Sequence, residues 1–217
     1  MKGRQIKSSN NRFKRKAMAL SGKIYFTILI SSLLLYSVKA LADVCPATQN
    51  DVEGPYYLPD APLRTEISTP DEPGMRIIIK GFVLETDCNS PLRDAIIEVW
   101  QTDAEGRYYY KEEGYKLRGQ MKSDKKGSYE FRSIKPGRYR IGNCYRPAHI
   151  HIKVSHPGYR TLVTQLYFKN DPYLWPEDAC GIGCKSNDPK RIIDLKSGKN
   201  RSLEGTFTII MGRDGPT

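Results

Sequence analysis

Short segments rich in β-branched and aromatic residues recur along most of the chain, and this pattern constrains the fold more than any other feature. The segments cover residues 77–84, 95–100, 128–131, 139–141, 149–154, 161–168 and 206–210. Turn residues at 89–91, 126–127, 135–137 and 156–158 separate many of them. Their length and composition are typical of β-strands, and helical periodicity is almost absent. The sequence therefore predicts an all-β fold, an antiparallel β-sandwich.

Two long stretches lack strand character. Residues 43–74 are rich in proline, and the residues after Lys169 are again loop-like up to a last strand near Gly205. We expect both stretches to form long connecting loops of the sandwich. Because the chain has no internal repeat and a suitable length, residues 43–217 are predicted to form one domain.

Residues 1–42 have the composition of a secretory signal peptide. Eight Lys and Arg residues precede the apolar run 24–36, and Ala40-Leu41-Ala42 supplies a small-residue cleavage site. We expect a mature extracytoplasmic protein that starts near Asp43. The alternative is an uncleaved membrane anchor, because the apolar run with its flanks approaches the roughly 20 residues that span a bilayer.

The positive charge of the chain is concentrated in this leader. The formal net charge of the whole chain is +11. Residues 1–42 hold nine Lys and Arg and no Asp or Glu, which leaves 26 basic and 24 acidic residues in 43–217, a net charge of +2. A nearly balanced domain lacks the basic surface that binds nucleic acid, so we expect no such partner, and a membrane contact only through an uncleaved leader.

Five cysteines follow the leader: Cys45, Cys88, Cys144, Cys180 and Cys184. None has Cys-x-x-Cys spacing, and an oxidising compartment favours pairing. We expect two disulfides and one remaining thiol, with several pairings open. A zinc site is the rival interpretation, although the dispersed spacing suits disulfides better.

A His-x-His pair marks the middle of the chain. His149 and His151 are separated by Ile150 in a predicted strand, so both imidazoles point to one face. Two adjacent imidazoles can bind zinc, copper, iron or nickel. The alternative is a pair of half-exposed histidines without a ligand.

Two of the fourteen tyrosines stand in sequence contexts unlike those of strand-core tyrosines. Tyr108 follows Gly106-Arg107, and Tyr139 follows Pro136-Gly137-Arg138, ten residues before His149. Either tyrosine alone is interpreted more simply as a packed aromatic residue. Two phenolates together with two imidazoles would instead form a mixed oxygen and nitrogen shell that favours iron(III).

Four ordered motifs resemble those of the intradiol ring-cleavage dioxygenases, closest to the protocatechuate 3,4-dioxygenase type. They lie at residues 97–108, 123–137, 146–151 and 164–168, and Gly54-Pro55-Tyr56-Tyr57 is similar to the amino-terminal segment of that family. The chain lacks the additional amino-terminal helical region of catechol 1,2-dioxygenases. The segment between Tyr139 and Arg146 is shorter than is usual in the family, which implies a shorter pocket wall.

The resemblance implies a set of site residues. The iron(III) ligands would be Tyr108, Tyr139, His149 and His151. Tyr139 would also act as a base, and Arg146 would hold the anionic substrate and stabilise developing negative charge. Gln165 would be a further residue of the substrate pocket. Tyr145 is the rival of Tyr139 as a ligand, but only Tyr139 has the Pro-Gly-x-Tyr context.

The activity implied by the resemblance is ring cleavage of an ortho-diphenol between its two hydroxylated carbons, with incorporation of both atoms of O2 and formation of a muconate-type diacid. The metal would act as a Lewis acid and template, and no organic cofactor is expected. A different class is a secreted β-sandwich module that binds carbohydrate or protein, with the tyrosines as an aromatic platform. A zinc or copper enzyme that uses the same histidines is a third interpretation.

Overall fold

Two five-stranded sheets and a small hairpin form the protein in the computed structural model, which describes residues 44–214. The strands are β1 (Arg76–Glu85), β2 (Ile96–Gln101), β3 (Arg118–Lys122), β4 (Ser128–Ile134), β5 (Tyr139–Ile141), β6 (Cys144–Arg146), β7 (His149–Ser155), β8 (Leu162–Phe168), β9 (Ile192–Ile193), β10 (Lys196–Ser197), β11 (Leu203–Thr206) and β12 (Ile209–Met211). Within this part of the chain the helical elements are two short 3₁₀ turns, Lys111–Glu113 and Gly181–Cys184. The predicted all-β fold is confirmed.

The predicted leader, residues 1–42, lies outside the described residues. Within 44–214, no helical element has both the length and the apolar composition needed to cross a membrane.

The two sheets differ in how their strands pair. The first has the order β10-β11-β1-β12, with β4 along the other edge of β1. The second has the order β3-β2-β7-β8-β9. Most pairs are antiparallel, as predicted, but β1 pairs in parallel with β11 and β12, and β8 pairs in parallel with β9. β5 and β6 form a separate two-stranded hairpin.

The core contains one face of each sheet. Alternate residues of β1, such as Ile77 and Ile79, and of β7, Ile150 and Ile152, belong to one buried apolar cluster. Each of these four side chains is at most 1% exposed, so each stabilises the fold by roughly 1.5–3 kcal/mol through burial. Val154 of β7 belongs to the same cluster. Because successive side chains of a strand point to opposite faces, the alternate residues of β7, which include His149 and His151, face away from this core.

The last predicted strand, 206–210, is divided in the structure. β11 ends at Thr206 and β12 begins at Ile209, and Phe207 lies buried between them. At this break the Phe207 carbonyl approaches Gly81 of β1 so closely that a Cβ at Gly81 would collide with it. The glycine therefore allows β1 to pair with both short strands along one edge.

Two disulfides join four of the five cysteines. Cys45 pairs with Cys88, Cys180 pairs with Cys184, and Cys144 is an exposed free thiol in the hairpin. The expectation of two disulfides and one thiol is confirmed, and the pairing that the sequence left open is now assigned.

Candidate metal centre

Strand β7 carries His149 and His151 on the face directed away from the apolar core. Trp100 of β2 and Gln165 of β8 lie opposite His151 in the sheet register, and Tyr167 lies opposite His149. Directly opposed residues of antiparallel strands share a face. A row of aromatic and polar side chains therefore surrounds the two histidines on the outer face of the second sheet.

Tyr108 reaches this face from the loop after β2. The Asp103 side chain accepts hydrogen bonds from the backbone N–H groups of Glu105 and Arg107 at 3.0 and 2.9 Å, which folds the loop into a tight turn. Gly106, with φ of 90°, packs against the Arg138 carbonyl where no side chain would fit. This close contact brings the Tyr108 loop next to the turn that leads into β5.

Tyr139 is the first residue of β5, and its Cα partner across the hairpin is Arg146 of β6. The next pair along the hairpin is Arg140 with Tyr145. Because alternate pairs of a hairpin point to opposite faces, Tyr139 and Arg146 face one side and Tyr145 faces the other. Tyr145 packs against Tyr173, with ring centroids 4.8 Å apart.

The four residues predicted as metal ligands meet in one cluster. The Tyr108 hydroxyl lies 3.3 Å from Nε2 of His149. Ring centroids are 5.6 Å apart for Tyr108 and Tyr139, 5.6 Å for Tyr139 and His149, and 4.9 Å for His149 and His151. The structure thus assembles side chains from a loop, a hairpin and a central strand of the second sheet.

Both imidazoles of the cluster are held neutral. His149 Nδ1 donates a hydrogen bond to the Pro147 carbonyl at 2.7 Å, which leaves the lone pair of Nε2 directed toward the cluster. Burial, aided by the positive charge of Arg146, lowers the pKa of His149 to about 3. Burial and the neighbouring His149 lower the pKa of His151 well below its usual value. A neutral imidazole is the form that binds metals.

Trp100 and Tyr56 fix the orientation of two cluster residues. The indole of Trp100 stacks on His151 at 4.8 Å with an interplanar angle of 8°. Tyr56, from the Pro-rich segment before β1, stacks on Tyr108 at 4.2 Å and 12°. Gly54 lies beside the His151 ring, since a Cβ at that position would be 3.4 Å from Cε1. The Pro-rich segment forms a long loop, as predicted, and the structure places this loop over the cluster.

The two tyrosines differ in exposure. Tyr108 is 6% exposed, whereas Tyr139 is only half-buried. Burial raises the pKa of the Tyr108 hydroxyl well above its usual value, and it also raises the pKa of Tyr139, where the nearby Arg146 cation opposes the rise. Without a positive charge at the cluster, both hydroxyls would stay protonated at neutral pH.

Arg146 is buried in a polar network beside the cluster. Its Nη2 donates to Oε1 of Gln165 at 2.7 Å and lies 3.3 Å from the Tyr167 hydroxyl, and its Nε lies 2.9 Å from Oδ1 of Asp178. Burial lowers the pKa of Arg146, but the acidic groups around it outweigh that effect and raise the pKa overall. The other end of the Gln165 amide donates to the Val52 carbonyl at 2.8 Å.

Several residues near the cluster carry roles that sequence reasoning did not assign. Trp100, Tyr56 and Tyr167 belong to the motifs noted above, but the motifs did not reveal their contacts. Arg118 of β3 is buried, and its Nη2 donates to the carbonyl of Tyr109, the residue after Tyr108. Asp178 comes from the long loop after β8, where no periodicity or motif marks it.

The cluster suits a metal ion by the chemistry of its donors. Between residues 44 and 214, no three His, Cys, Asp or Glu side chains are placed to hold a metal. Any metal at the cluster would therefore depend on the tyrosine oxygens as well as the histidine nitrogens. Two neutral imidazoles and two phenols that a cation would ionise fit a hard trivalent ion better than zinc or copper(I).

Comparison with known proteins gives one consistent result. The family model described as Dioxygenase (Dioxygenase_C) matches residues 52–211. The chlorocatechol 1,2-dioxygenase of Rhodococcus opacus is 37% identical over 172 residues, which cover 68% of this chain and 66% of that relative. The protocatechuate 3,4-dioxygenase beta chain of Burkholderia cepacia is 40% identical over 114 residues, 46% of this chain and 48% of the relative.

A solved structure agrees with these matches. The dioxygenase domain of a dioxygenase and carbohydrate-binding protein fusion from Streptomyces sp. SirexAA-E is similar with a TM-score of 0.67 and 32% identity, over 78% of this chain and all of that domain. The chain spans less than two thirds of the length of the curated relatives that it matches first.

Proposed function

Since the chain belongs to the intradiol ring-cleavage dioxygenase family, we propose that it cleaves the ring of an ortho-diphenol between the two hydroxylated carbons, with consumption of O2. The names of its relatives suggest catechol, chlorocatechol or protocatechuate as substrates, so the substrate class is a small aromatic diol. Relatives of both the catechol and the protocatechuate type match, and the predicted protocatechuate-type assignment stays a prediction.

The proposed cofactor is iron(III), held by four ligands: Tyr108, Tyr139, His149 and His151. One observation carries this proposal, the convergence of the four side chains from separate elements, with the Tyr108 hydroxyl 3.3 Å from the lone-pair nitrogen of His149. A single packed tyrosine would also hydrogen-bond its hydroxyl, so the meeting of two hydroxyls and two imidazoles in one cluster, rather than this one contact, supports a metal site. The two neutral histidines also support the proposal, because metal binding requires that form.

When bound, iron(III) supplies Lewis acidity that promotes loss of the diphenol protons and gives the ring carbanion character. The protein side chains supply the rest of the chemistry. Tyr139 is the more exposed of the two tyrosine ligands, so it is the one that the substrate could displace, and its oxygen could then take a substrate proton. Tyr108 is enclosed and would remain bound.

Arg146 would act as a fixed cation next to the site. Its guanidinium is 3% exposed, and in such a low-dielectric setting a charge stabilises developing negative charge more strongly than in water. Gln165 would act with Arg146 in the substrate pocket, because its Oε1 accepts from Nη2.

Two disulfides support the proposed extracytoplasmic location, since such bonds persist in oxidising compartments. We also propose that residues 1–42 are a cleaved leader and that residues 43–217 form a single domain. The alternative of a non-catalytic binding module is not favoured, because the named relatives are ring-cleavage enzymes.

Metal analysis combined with product analysis tests the proposal. Purified protein should contain about one iron per chain and should convert catechol, with uptake of one O2 per ring, into a product that carries both oxygen atoms from labelled O2. Stoichiometric zinc or copper, or iron without ring cleavage of any of the three named diol classes, would contradict it.

A further inference from the structure

Arg146 is held by a buried carboxylate outside the predicted site. The side chain of Asp178 is fully buried, and its Oδ1 lies 2.9 Å from Nε of Arg146. The second oxygen, Oδ2, is buried and makes no hydrogen bond within the described part of the chain. A buried carboxylate in this position is costly unless it is paired, so Arg146 is its main compensation.

The Cys180–Cys184 disulfide loop places this carboxylate. The backbone N–H of Cys180 donates to Oδ1 of Asp178 at 2.9 Å, and the N–H of Gly181 donates to the Asp178 carbonyl at 2.8 Å. The N–H of Ala179 donates to the carbonyl of Tyr145, the residue before Arg146, at 2.9 Å. The start of the loop is therefore tied to both the side chain and the strand of Arg146.

The other end of the same loop contacts Tyr167, which is a neighbour of Arg146. Cys184 is completely buried, and its carbonyl lies 2.8 Å from the Tyr167 hydroxyl. That hydroxyl is 3.3 Å from Nη2 of Arg146. The disulfide thus joins the backbone that presents Asp178 to the backbone that positions Tyr167.

We propose that Asp178 is a positioning residue for Arg146 and that the Cys180–Cys184 disulfide keeps Asp178 and the Cys184 carbonyl in place around it. This inference rests on the proposed function, in which Arg146 stabilises charge on the substrate. The loop has few contacts of regular secondary structure to hold it, since it contains one short 3₁₀ turn. The covalent link replaces the constraint that a strand would otherwise supply.

The second disulfide provides a matched control. Cys45 and Cys88 are separated by 43 positions, whereas Cys180 and Cys184 are separated by four. A crosslink that closes a longer loop removes more conformational entropy from the unfolded chain, so its loss should lower global stability more. Loss of the Cys45–Cys88 disulfide should therefore lower mainly the melting temperature. Loss of the Cys180–Cys184 disulfide should mainly disturb the geometry of Arg146.

The test compares Asp178→Asn, the double variant Cys180→Ser/Cys184→Ser and the control Cys45→Ser/Cys88→Ser with the parent. Serine variants are used because a thiol reductant would also reduce iron(III). The readouts are iron content, kcat and KM for catechol, and labelling of Arg146 by phenylglyoxal, mapped by mass spectrometry. Asp178→Asn retains the shape of the side chain, so its result does not depend on whether the double variant folds.

We expect Asp178→Asn to lower kcat by about ten- to a hundredfold at unchanged iron content, because misplacement by a fraction of an ångström weakens charge stabilisation. The Cys180/Cys184 variant should lose kcat by several-fold, and in both variants Arg146 should become labelled. The control should keep kcat within about twofold of the parent and keep Arg146 protected, at a lower melting temperature.

Equal kcat and equal labelling of Arg146 in the parent and Asp178→Asn would overturn the role of Asp178. Equal behaviour of the two disulfide variants would overturn the role of the Cys180–Cys184 link. If the parent cleaves no diol, the proposed function fails, but the labelling of Arg146 still shows whether the loop positions it.

Discussion

Tyr139 and Arg146 face each other across the β5–β6 hairpin, where they form the pair nearest to the open end. The hairpin turns at Gly142 and Asn143, so the base and the cation proposed for the reaction lie on one small unit of structure. The short segment that set this chain apart from its family in sequence is this hairpin. Its register also explains why Tyr145 is directed away from the histidines and toward Tyr173.

Replacement of Arg146 should separate charge stabilisation from metal binding. We expect Arg146→Ala to lower kcat by a factor of about one hundred or more while iron content stays near that of the parent. Arg146→Lys should recover only part of the loss, because an ammonium group cannot reproduce the planar fork that contacts both Gln165 and Asp178. Steady-state kinetics with catechol and metal analysis provide the measurement.

The same substitution should also affect stability. Removal of the guanidinium leaves the buried Asp178 carboxylate without its partner, which typically costs about 3–5 kcal/mol. The melting temperature of each variant must therefore be compared with its kcat at a temperature where all are folded. Unchanged turnover in a folded Arg146→Ala variant would remove Arg146 from the mechanism.

The metal-free protein should lose stability as the pH falls below about 6.5. The folded state resists protonation of His149, whose pKa is about 3, whereas the unfolded chain accepts a proton near 6.5. The unfolded state therefore binds more protons in this window, and the free energy of unfolding should fall by up to about 1.4 kcal/mol per pH unit for each buried histidine. Above 6.5 these histidines should add no pH dependence.

Urea unfolding of the apo protein between pH 4 and pH 8 measures this effect. The double variant His149→Gln/His151→Gln should show a smaller slope than the parent below pH 6.5. The matched control His156→Gln replaces the third histidine, which lies after β7 outside the cluster, and should keep the slope of the parent. Equal slopes in the parent and the double variant would show that the two imidazoles are not held neutral.

One thiol per chain should react with Ellman's reagent in the native protein. Cys144 is exposed and free, while the other four cysteines are paired. Cys144→Ser should abolish the reaction without loss of either disulfide.

Mass spectrometry of non-reduced protein from the native host should find the two disulfides on a chain that starts near Asp43. Five reactive thiols on a chain that retains residues 1–42 would rule out both the export and the pairing.

The parts of the fold that the sequence could predict are those where local pattern and burial coincide. β1, β7 and β8 combine β-branched residues with alternate burial, and their positions were predicted closely. β3 was missed because Arg118–Lys122 has none of these residues. It is a strand because it pairs with β2 and because Gly119 lets it lie against Ile67, and both are tertiary contacts.

The site shows the same division. The two histidines could be placed on one face from strand periodicity, and the tyrosines could be chosen from their motifs. The role of Asp178 could not be predicted from the sequence, because it depends on a loop that the disulfide holds against β6. The parallel pairing of β1 with β11 and β12 could not be predicted either. The composition of β11 and β12, which are both short, does not indicate the direction in which they pair with β1.

Loss of either histidine should reduce bound iron rather than change only its reactivity. His149→Ala and His151→Ala each remove a nitrogen donor from the cluster, so the iron content of the purified protein should fall well below one per chain. Trp100→Phe keeps an aromatic ring next to His151 and should retain most of the iron. Full iron occupancy in both histidine variants would place the metal elsewhere.

The iron form of the protein should be coloured. A phenolate bound to iron(III) absorbs visible light by charge transfer to the metal, whereas imidazole or zinc alone gives no such band. Tyr108→Phe and Tyr139→Phe should each weaken or shift the band, because each variant lacks one phenolate donor. Tyr145→Phe is the matched control and should leave the band intact, since Tyr145 points to the opposite face of the hairpin from Tyr139.

Addition of catechol without O2 should extend this optical test to the substrate. A new band at longer wavelength is expected in the parent as the diphenolate becomes a ligand. The two tyrosines should then differ. If the substrate displaces Tyr139, the parent and Tyr139→Phe should have similar spectra once catechol is bound, although their spectra without catechol differ. Tyr108→Phe should still differ from the parent after catechol is added, because the enclosed Tyr108 would remain bound. A colourless zinc protein, or an iron protein that loses its colour only through Tyr145→Phe, would overturn the proposed ligand set.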